Sequence, residues 1–324
     1  MNQLQNKLLE IIQSDFPIDP RPFSTLAESL NSNETDILNL IASLKQQSLI
    51  RRIGPFFSAA HLGYFSTLVA AHVPEEMLPA FTAEVNVNPG VSHNYGRDHH
   101  LNIWFTLTVR TQQAIADLLS HLRAKFHLDT IHSLPALKMF KLNTHFDFDG
   151  TDKNQTPSRL PSKPAQAPTL TESQIALIRL LQQGLSLIPE PFNPLAAGLN
   201  LDVDSILQQI NDWKSTGLIR RFGAALRHHQ LGFTANAMIV FQVEPENIDR
   251  AGTTLAQFPS ISHCYQRATT PDWPFNLYAM THARDDSQLC KTSADMVNRI
   301  KPLLCEILPT IAEYKKQSVQ YFME

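Results

Sequence analysis

Leu218-Ile219-Arg220-Arg221-Phe222-Gly223 repeats Leu49-Ile50-Arg51-Arg52-Ile53-Gly54, and this repetition decides the architecture. The offset is 169 residues (218 − 49), and it is unchanged at Leu231-Gly232 against Leu62-Gly63 and at Pro191-Phe192 against Pro22-Phe23. Val91-Ser92-His93-Asn94-Tyr95 then matches Ile261-Ser262-His263-Cys264-Tyr265 at 170 (261 − 91). The chain is two copies of one unit, and the copies are chemically unequal.

Working outward, Leu4, Leu8, Leu9, Ile11 and Ile12 recur at helical spacing, closed by Asp15-Phe16-Pro17. Pro22 to Leu30 carries a second short helix. Asn31 to Glu34 supplies an N-cap for a third, whose apolar face is Ile37, Leu38, Ile41, Leu44 and Leu49. A short strand over 49–53 follows, which completes a winged helix-turn-helix outline. Segments 175–181, 191–199 and 202–216 repeat it, with Gly217 as C-cap. Beyond each such unit the period shifts to β-α-β-β-α-β, the ferredoxin-like arrangement. In the first copy the elements are 64–73, 74–87, 91–96, 102–109, 111–126 and 131–146. In the second they are 233–243, 245–258, 260–267, 275–281, 287–304 and 307–322. Pro157, Pro161, Pro164 and Pro168 mark an extended linker between the copies. The expected fold is α+β, a tandem duplication with winged units at 1–60 and 171–229, ferredoxin-like domains at 61–148 and 230–324, and a linker at 149–170.

Composition narrows the class. A chain of 324 residues with 43% hydrophobic and 18% charged content has room for several packed domains. A net charge of −3 argues against a general nucleic-acid binder. Cys264, Cys290 and Cys305 show no metal-ligand spacing, and so sparse a count fits a reducing compartment. There is no signal-peptide pattern at the start and no apolar run long enough for a membrane span, so a cytoplasmic protein with no membrane partner is expected. The helices that would enter a DNA groove begin Asn33-Glu34-Thr35-Asp36 and Asp202-Val203-Asp204-Ser205, which sets carboxylates where phosphate needs cations. No nucleic-acid partner is expected.

The layout resembles the Lrp/AsnC transcription regulators, in which domains from two chains pair back to back near a small-effector site. Here both partners come from one chain, so an internal pseudo-dimer is implied. The motifs resemble a narrower family, the sirohaem decarboxylases. One subunit type is visible in RRFGAALRHHQLGFTANAM (220–238), SHCYQR (262–267) and WPFNLYAMTH (273–282). The other is visible in RRIGPFFSAAHLGY (51–64) and GVSHNYGRDHHLNIWFTL (90–107). The chain therefore resembles a natural fusion of both subunits. The resemblance implies loss of CO2 from acetate side chains of sirohaem to give didecarboxysirohaem, on the way to d-type haem.

The residue types fit that chemistry. A polycarboxylate tetrapyrrole calls for arginine forks, and a methylene left by CO2 loss calls for a general acid. Histidine suits that role near neutral pH. Period two puts His263, Tyr265 and Arg267 on one strand face and His93, Tyr95 and Arg97 on another, although a hydrogen-bonded structural cluster would look the same. Arg227, His228 and His229 replace Ser58, Ala59 and Ala60 of the first copy, whereas His99 and His100 belong to the first copy only. The candidate catalytic residues are thus His228, His263, His93 and His99. The candidate substrate-binding residues are Arg220, Arg221, Arg227, Tyr265, Arg267, Arg51, Arg52, Tyr95 and Arg97. The main pocket is expected in the second copy, on Arg220, Arg221, His228, His263 and Arg267, with the first copy either supplying a degenerate pocket or lending His99 across the pseudo-dimer. No metal site and no cofactor beyond the iron tetrapyrrole substrate is expected. Self-association beyond the pseudo-dimer, and contact with other enzymes of d-type haem assembly, stay open. A DNA-binding regulator and a non-catalytic haem sensor or carrier are the alternatives.

Overall fold

A computed structural model of the chain describes residues 3–142, 168–226 and 235–323. The expectations for Arg227, His228 and most of the linker lie outside the described residues.

The first copy opens with helices α1 (Gln3–Ser14), α2 (Pro22–Ser29) and α3 (Glu34–Gln46), then strand β1 (Ile50–Phe57). The second repeats them as α6 (Glu172–Leu181), α7 (Asn193–Leu199), α8 (Val203–Ser215) and β6 (Ile219–Leu226). Side-chain caps start the longest of these: Asn33 accepts from Asp36 N, and Asp202 from Ser205 N. The two helical units do not form separate cores. Leu8, Ile12, Phe16 and Ile41 of the first join Ile178, Leu181, Ile210 and Trp213 of the second in one buried cluster, with Tyr321 and Phe322 from the chain's end.

The sequence predicts that each winged unit ends in a strand of its own. That strand instead pairs with its counterpart: β1 and β6 run antiparallel, with Gly54 opposite Gly223 and Pro55 opposite Phe222. Gly223 is needed there because a Cβ would come within 2.4 Å of Ile12 O.

Each copy continues with two helices and four strands: β2 (Phe65–Ala71), α4 (Leu78–Val87), β3 (Val91–Arg97), β4 (Ile103–Val109), α5 (Gln112–Lys125) and β5 (Ile131–Leu142) in the first. The second has β7 (Ala235–Gln242), α9 (Ile248–Ala256), β8 (Ile261–Arg267), β9 (Leu277–Ala283), α10 (Asp286–Ile300) and β10 (Leu304–Lys316). All eight strands close one barrel in the order β10-β3-β4-β2-β5-β8-β9-β7. Back-to-back stacking of two sheets, expected from the resemblance, gives way to edge-to-edge closure, which leaves no open strand edge. The cause lies in the two long final strands. β5 pairs with β2 as far as Pro135 and then with β8 from Ala136. β10 pairs with β7 as far as Pro309 and then with β3 from Thr310. Proline has no N–H to donate to the ladder, and in both copies the strand changes partner directly after one.

α4 and α5 cover the outside of the first half over Val69, Phe81, Phe105 and Leu122. α9 and α10 cover the second over Ile239, Phe241, Leu255 and Met296. The lumen is filled by Trp104, Leu134, Met238, Trp273, Tyr278 and Leu308. Among the described residues no helix is long and apolar enough to cross a membrane.

Candidate active site

β3 and β8 each begin at the barrel end from which the winged units extend, so His93 and His263 share that end. Opposite them stand the last residues of the neighbouring strands, Lys316 beside His93 and Leu142 beside His263. A register shift lies between Val91 and His93, and another between Ile261 and His263. Such bulges re-aim side chains, and here each brings a serine onto its neighbouring histidine. Ser92 Oγ is 2.9 Å from His93 Nδ1, and Ser262 Oγ is 2.8 Å from His263 Nδ1. Each ring stacks along the strand on a tyrosine, His93 on Tyr95 at 6.1 Å and His263 on Tyr265 at 6.4 Å.

The two histidines sit in different surroundings. Burial pushes His93 down to about 4, with Lys316 and Arg51 acting in the same direction and Glu313 opposing. His93 is therefore a neutral ring at physiological pH. His263 instead joins a polar chain: Ser262 Oγ is also 2.7 Å from His282 Nε2, and His282 Nδ1 lies 2.5 Å from Asn236 Oδ1. In the first half the corresponding places hold hydroxyls, with Ser66 on Thr108 at 2.8 Å and Ser92 on Thr106 at 2.9 Å.

The arginines divide by direction. Arg220 is exposed on β6, and its charge lowers both Tyr265 and Tyr321 against the burial that raises them. Arg51 Nη2 donates to Lys316 O at 2.7 Å, which ties the wing to the end of β10. Arg52 lies 5.2 Å over the Phe56 ring and donates to Pro55 O. Its Nε and Nη1 are buried and have no hydrogen-bond partner among the described residues. Burial and then Arg51 push it down to about 10. Arg51 and Arg52, with Gln182, Gln183, Gln317 and Gln320, line a cavity of about 250 Å³. Arg221 turns the other way, onto Gln13 O and 3.9 Å over Phe56.

Arg97 and Arg267 point into the lumen. Arg97 Nη1 donates to Leu308 O, and Arg267 Nη1 donates to Leu134 O, so each holds a carbonyl of the last strand of the other copy. Arg267 also lies 5.1 Å over Tyr265 and 5.6 Å over Tyr278. The His–Tyr–Arg faces expected from the sequence thus exist, with the histidine at the barrel end and the arginine bracing the halves. Burial raises both Tyr95 and Tyr265, so both phenols stay protonated at physiological pH.

His99 corrects an expectation. It follows β3, at the barrel end away from the wings, where Leu101 N donates to its Nδ1 and its Nε2 donates to Glu306 Oε2 at 2.8 Å. It packs edge-on against Trp273. That places it at the opposite barrel end from His263, so the structure does not bring the two histidines together. Ser262, His282 and Asn236 are site-end residues that the sequence reading left out of its candidates. Their signal was the serine that opens SHCYQR, the histidine that closes WPFNLYAMTH and the asparagine at the centre of TANAM.

Comparison with known proteins covers both copies. An "AsnC-like ligand binding domain" family model matches residues 61–141 and 230–315, and a "Siroheme decarboxylase NirDL-like HTH domain" model matches 5–51 and 174–220. A siroheme decarboxylase of Hydrogenobacter thermophilus is 32% identical over 98% of this chain and 95% of its own length. A siroheme decarboxylase alpha subunit of Desulfovibrio desulfuricans is 41% identical over 46% of this chain and 86% of its own length. A crystal structure of the siroheme decarboxylase NirDL in co-complex with an iron-uroporphyrin III analogue superposes with a TM-score of 0.79 at 28% identity, covering 99% of this chain and 95% of that one.

Proposed function

This chain belongs to the sirohaem decarboxylase family, and from that premise we propose that it is a carboxy-lyase removing CO2 from acetate side chains of sirohaem to give didecarboxysirohaem. We read each half-barrel as a ferredoxin-like unit and the whole as an internal pseudo-dimer, with the domain boundaries given from the sequence. The strand order β3-β4-β2-β5, repeated as β8-β9-β7-β10, supports this reading.

The observation that carries the functional reading is the pairing of the wings. β1 and β6 use each other's edges, and they bring Arg51 and Arg220 to the barrel end that holds His93 and His263. A cationic rim over a histidine-bearing end suits a polycarboxylate macrocycle. It leaves little for DNA, whose groove would meet the acidic first turns of α3 and α8.

In this scheme Arg220 and the cavity arginines Arg51 and Arg52 hold substrate carboxylates. The reacting acetate loses its water on entering, which favours a transition state of more diffuse charge. The C–C bond to the carboxyl carbon breaks, CO2 leaves, and the electron pair stays on the methylene, where the conjugated macrocycle accepts it. His263, held through Nδ1 by Ser262, delivers a proton from Nε2 to that carbon and forms the methyl. His93, neutral at working pH, hydrogen-bonds the substrate without acting as the acid. Arg97, Arg267, Tyr95 and Tyr265 keep the barrel end in shape. No cofactor beyond the substrate's own ring enters the scheme. The sirohaem and its product make the enzyme one for d-type haem assembly, and we assign it to the cytoplasm.

The test is anaerobic incubation with sirohaem, read by absorbance and mass spectrometry, beside DNA retention at low salt. Mass loss in units of CO2 is expected. Binding without mass loss would make the chain a carrier, and salt-sensitive DNA retention would make it a regulator.

A further inference from the structure

The second half of the barrel end carries a linked set of side chains, of which the proposed reaction uses only Ser262 and His263. Asn236 Oδ1 can only accept, so the 2.5 Å contact with His282 Nδ1 puts a proton on that nitrogen. His282 Nε2 then faces Ser262 Oγ at 2.7 Å, and Ser262 Oγ faces His263 Nδ1 at 2.8 Å. Two imidazoles joined through one hydroxyl have a path along which a proton can pass between them. Asn236 stands opposite His282 in the β7–β9 ladder as Ser66 stands opposite Thr108 in the β2–β4 ladder. Hydroxyls at Ser66, Thr108 and Thr106 hold no such proton near neutral pH.

We propose that His282, oriented by Asn236 and acting through Ser262, is a positioning residue that stores the proton with which His263 is resupplied, so that the second half alone has a recharging acid. The proposal rests on the sirohaem decarboxylase reading. Before reaction His282 is protonated on both nitrogens, and His263 carries its proton on Nε2. That proton passes to the methylene electron pair, breaking N–H and forming C–H. The Ser262 hydroxyl proton moves to His263 Nδ1, and the His282 Nε2 proton moves to Ser262 Oγ. Both rings end neutral, and the charge lost from His282 cancels the negative charge left when CO2 departs.

Other charged and titratable groups surround the pair. Tyr265 and Arg267 lie on β8, and Arg220 lies on β6, while on β5 Lys141 is tied to Phe258 O. Arg284, Asp285 and Asp286 follow directly after β9.

The test compares wild type with His282→Gln, which keeps a polar side chain but carries no transferable proton, and with Asn236→Asp, which favours a charged His282. Histidine ¹⁵N spectra of the substrate-free protein are expected to show His263 and His282 titrating as a coupled pair, and His263 alone with one transition in His282→Gln. For sirohaem turnover, kcat of His282→Gln should fall about 10–100-fold with KM unchanged. The alkaline limb of kcat should move up by about one pH unit in Asn236→Asp. Thr108→Val in the first half should keep the wild-type profile. A His282→Gln profile superimposable on wild type, or an unshifted Asn236→Asp limb, overturns the proposal. Should His282→Gln fail to fold by circular dichroism, the direction of the Asn236→Asp shift decides. A wild type that makes no decarboxylated product refutes the functional reading instead, while the coupled titration in the free protein still tests the proton sharing.

Discussion

Replacing His93 by glutamine removes a ring that the fold holds neutral, and the cost of holding it so is readable from pH. Burial, Lys316 and Arg51 bring His93 down to about 4 in the folded chain, against about 6.5 for an unfolded histidine. Between those values the unfolded state binds more protons than the native state, so stability rises with pH across the window. The penalty is absent above about pH 6.5 and grows as pH falls, reaching about 2 kcal/mol at pH 5 from those two constants. Glutamine does not titrate, and its amide can still reach Ser92. The assay is urea unfolding of both proteins at pH 7.5 and pH 5. The wild type should lose about 2 kcal/mol more than His93→Gln between the two conditions, because all other titrating groups cancel in the difference. Equal pH dependence in the two proteins would refute a neutral, buried His93. Greater loss in the variant would mean that the ring is charged and paired, with Glu313 outweighing Lys316 and Arg51.

Further substitutions probe the packing within and between the halves. Gly223→Ala would set a Cβ 2.4 Å from Ile12 O, so thermal unfolding should show a loss of about 1–3 kcal/mol, whereas Gly198→Ala, with open space around its Cβ in α7, should gain about 0.5–1 kcal/mol. Gly252→Ala drives a Cβ to 2.4 Å from the Phe140 ring across the junction of the halves; a loss of about 1–3 kcal/mol should be partly recovered by adding Phe140→Leu, measured as a double-mutant cycle. Arg267→Met leaves Leu134 O without its donor, and denaturant unfolding should show about 1–3 kcal/mol lost.

The duplication could be read directly, because Leu49–Gly54 and Leu218–Gly223 repeat almost letter for letter. The helices were legible from their apolar spacing and caps, and the shared face of His263, Tyr265 and Arg267 from period two. Which way that face looks was not, since lumen and outer surface have the same period. Only barrel closure turns Arg97 and Arg267 inward onto Leu308 O and Leu134 O. Closure itself depends on nonlocal pairing: a proline in an extended run marks a break, but Pro135 and Pro309 do not name the strand that takes over. The wing pairing was hidden for the same reason, as nothing local in Ile50–Phe57 says that its partner lies in the other copy. His282 escaped the candidate set because the loop 268–276 is longer than its counterpart. The correspondence with Thr108 then shifts to 174 residues (282 − 108), away from the 170 that aligns the preceding strand. His99 misled because two adjacent histidines after a motif look like part of it, whereas the strand carries them to the far end of the barrel.

The most direct measurement is an anaerobic incubation of the full chain with sirohaem in D2O, with the extracted tetrapyrrole read by mass spectrometry over time. Successive losses of CO2 are predicted, each leaving a methyl that carries one deuterium from solvent, with the rate collapsing in His263→Ala. A tetrapyrrole that stays bound with its mass unchanged, or a His263→Ala chain that turns over at the wild-type rate, would contradict the account.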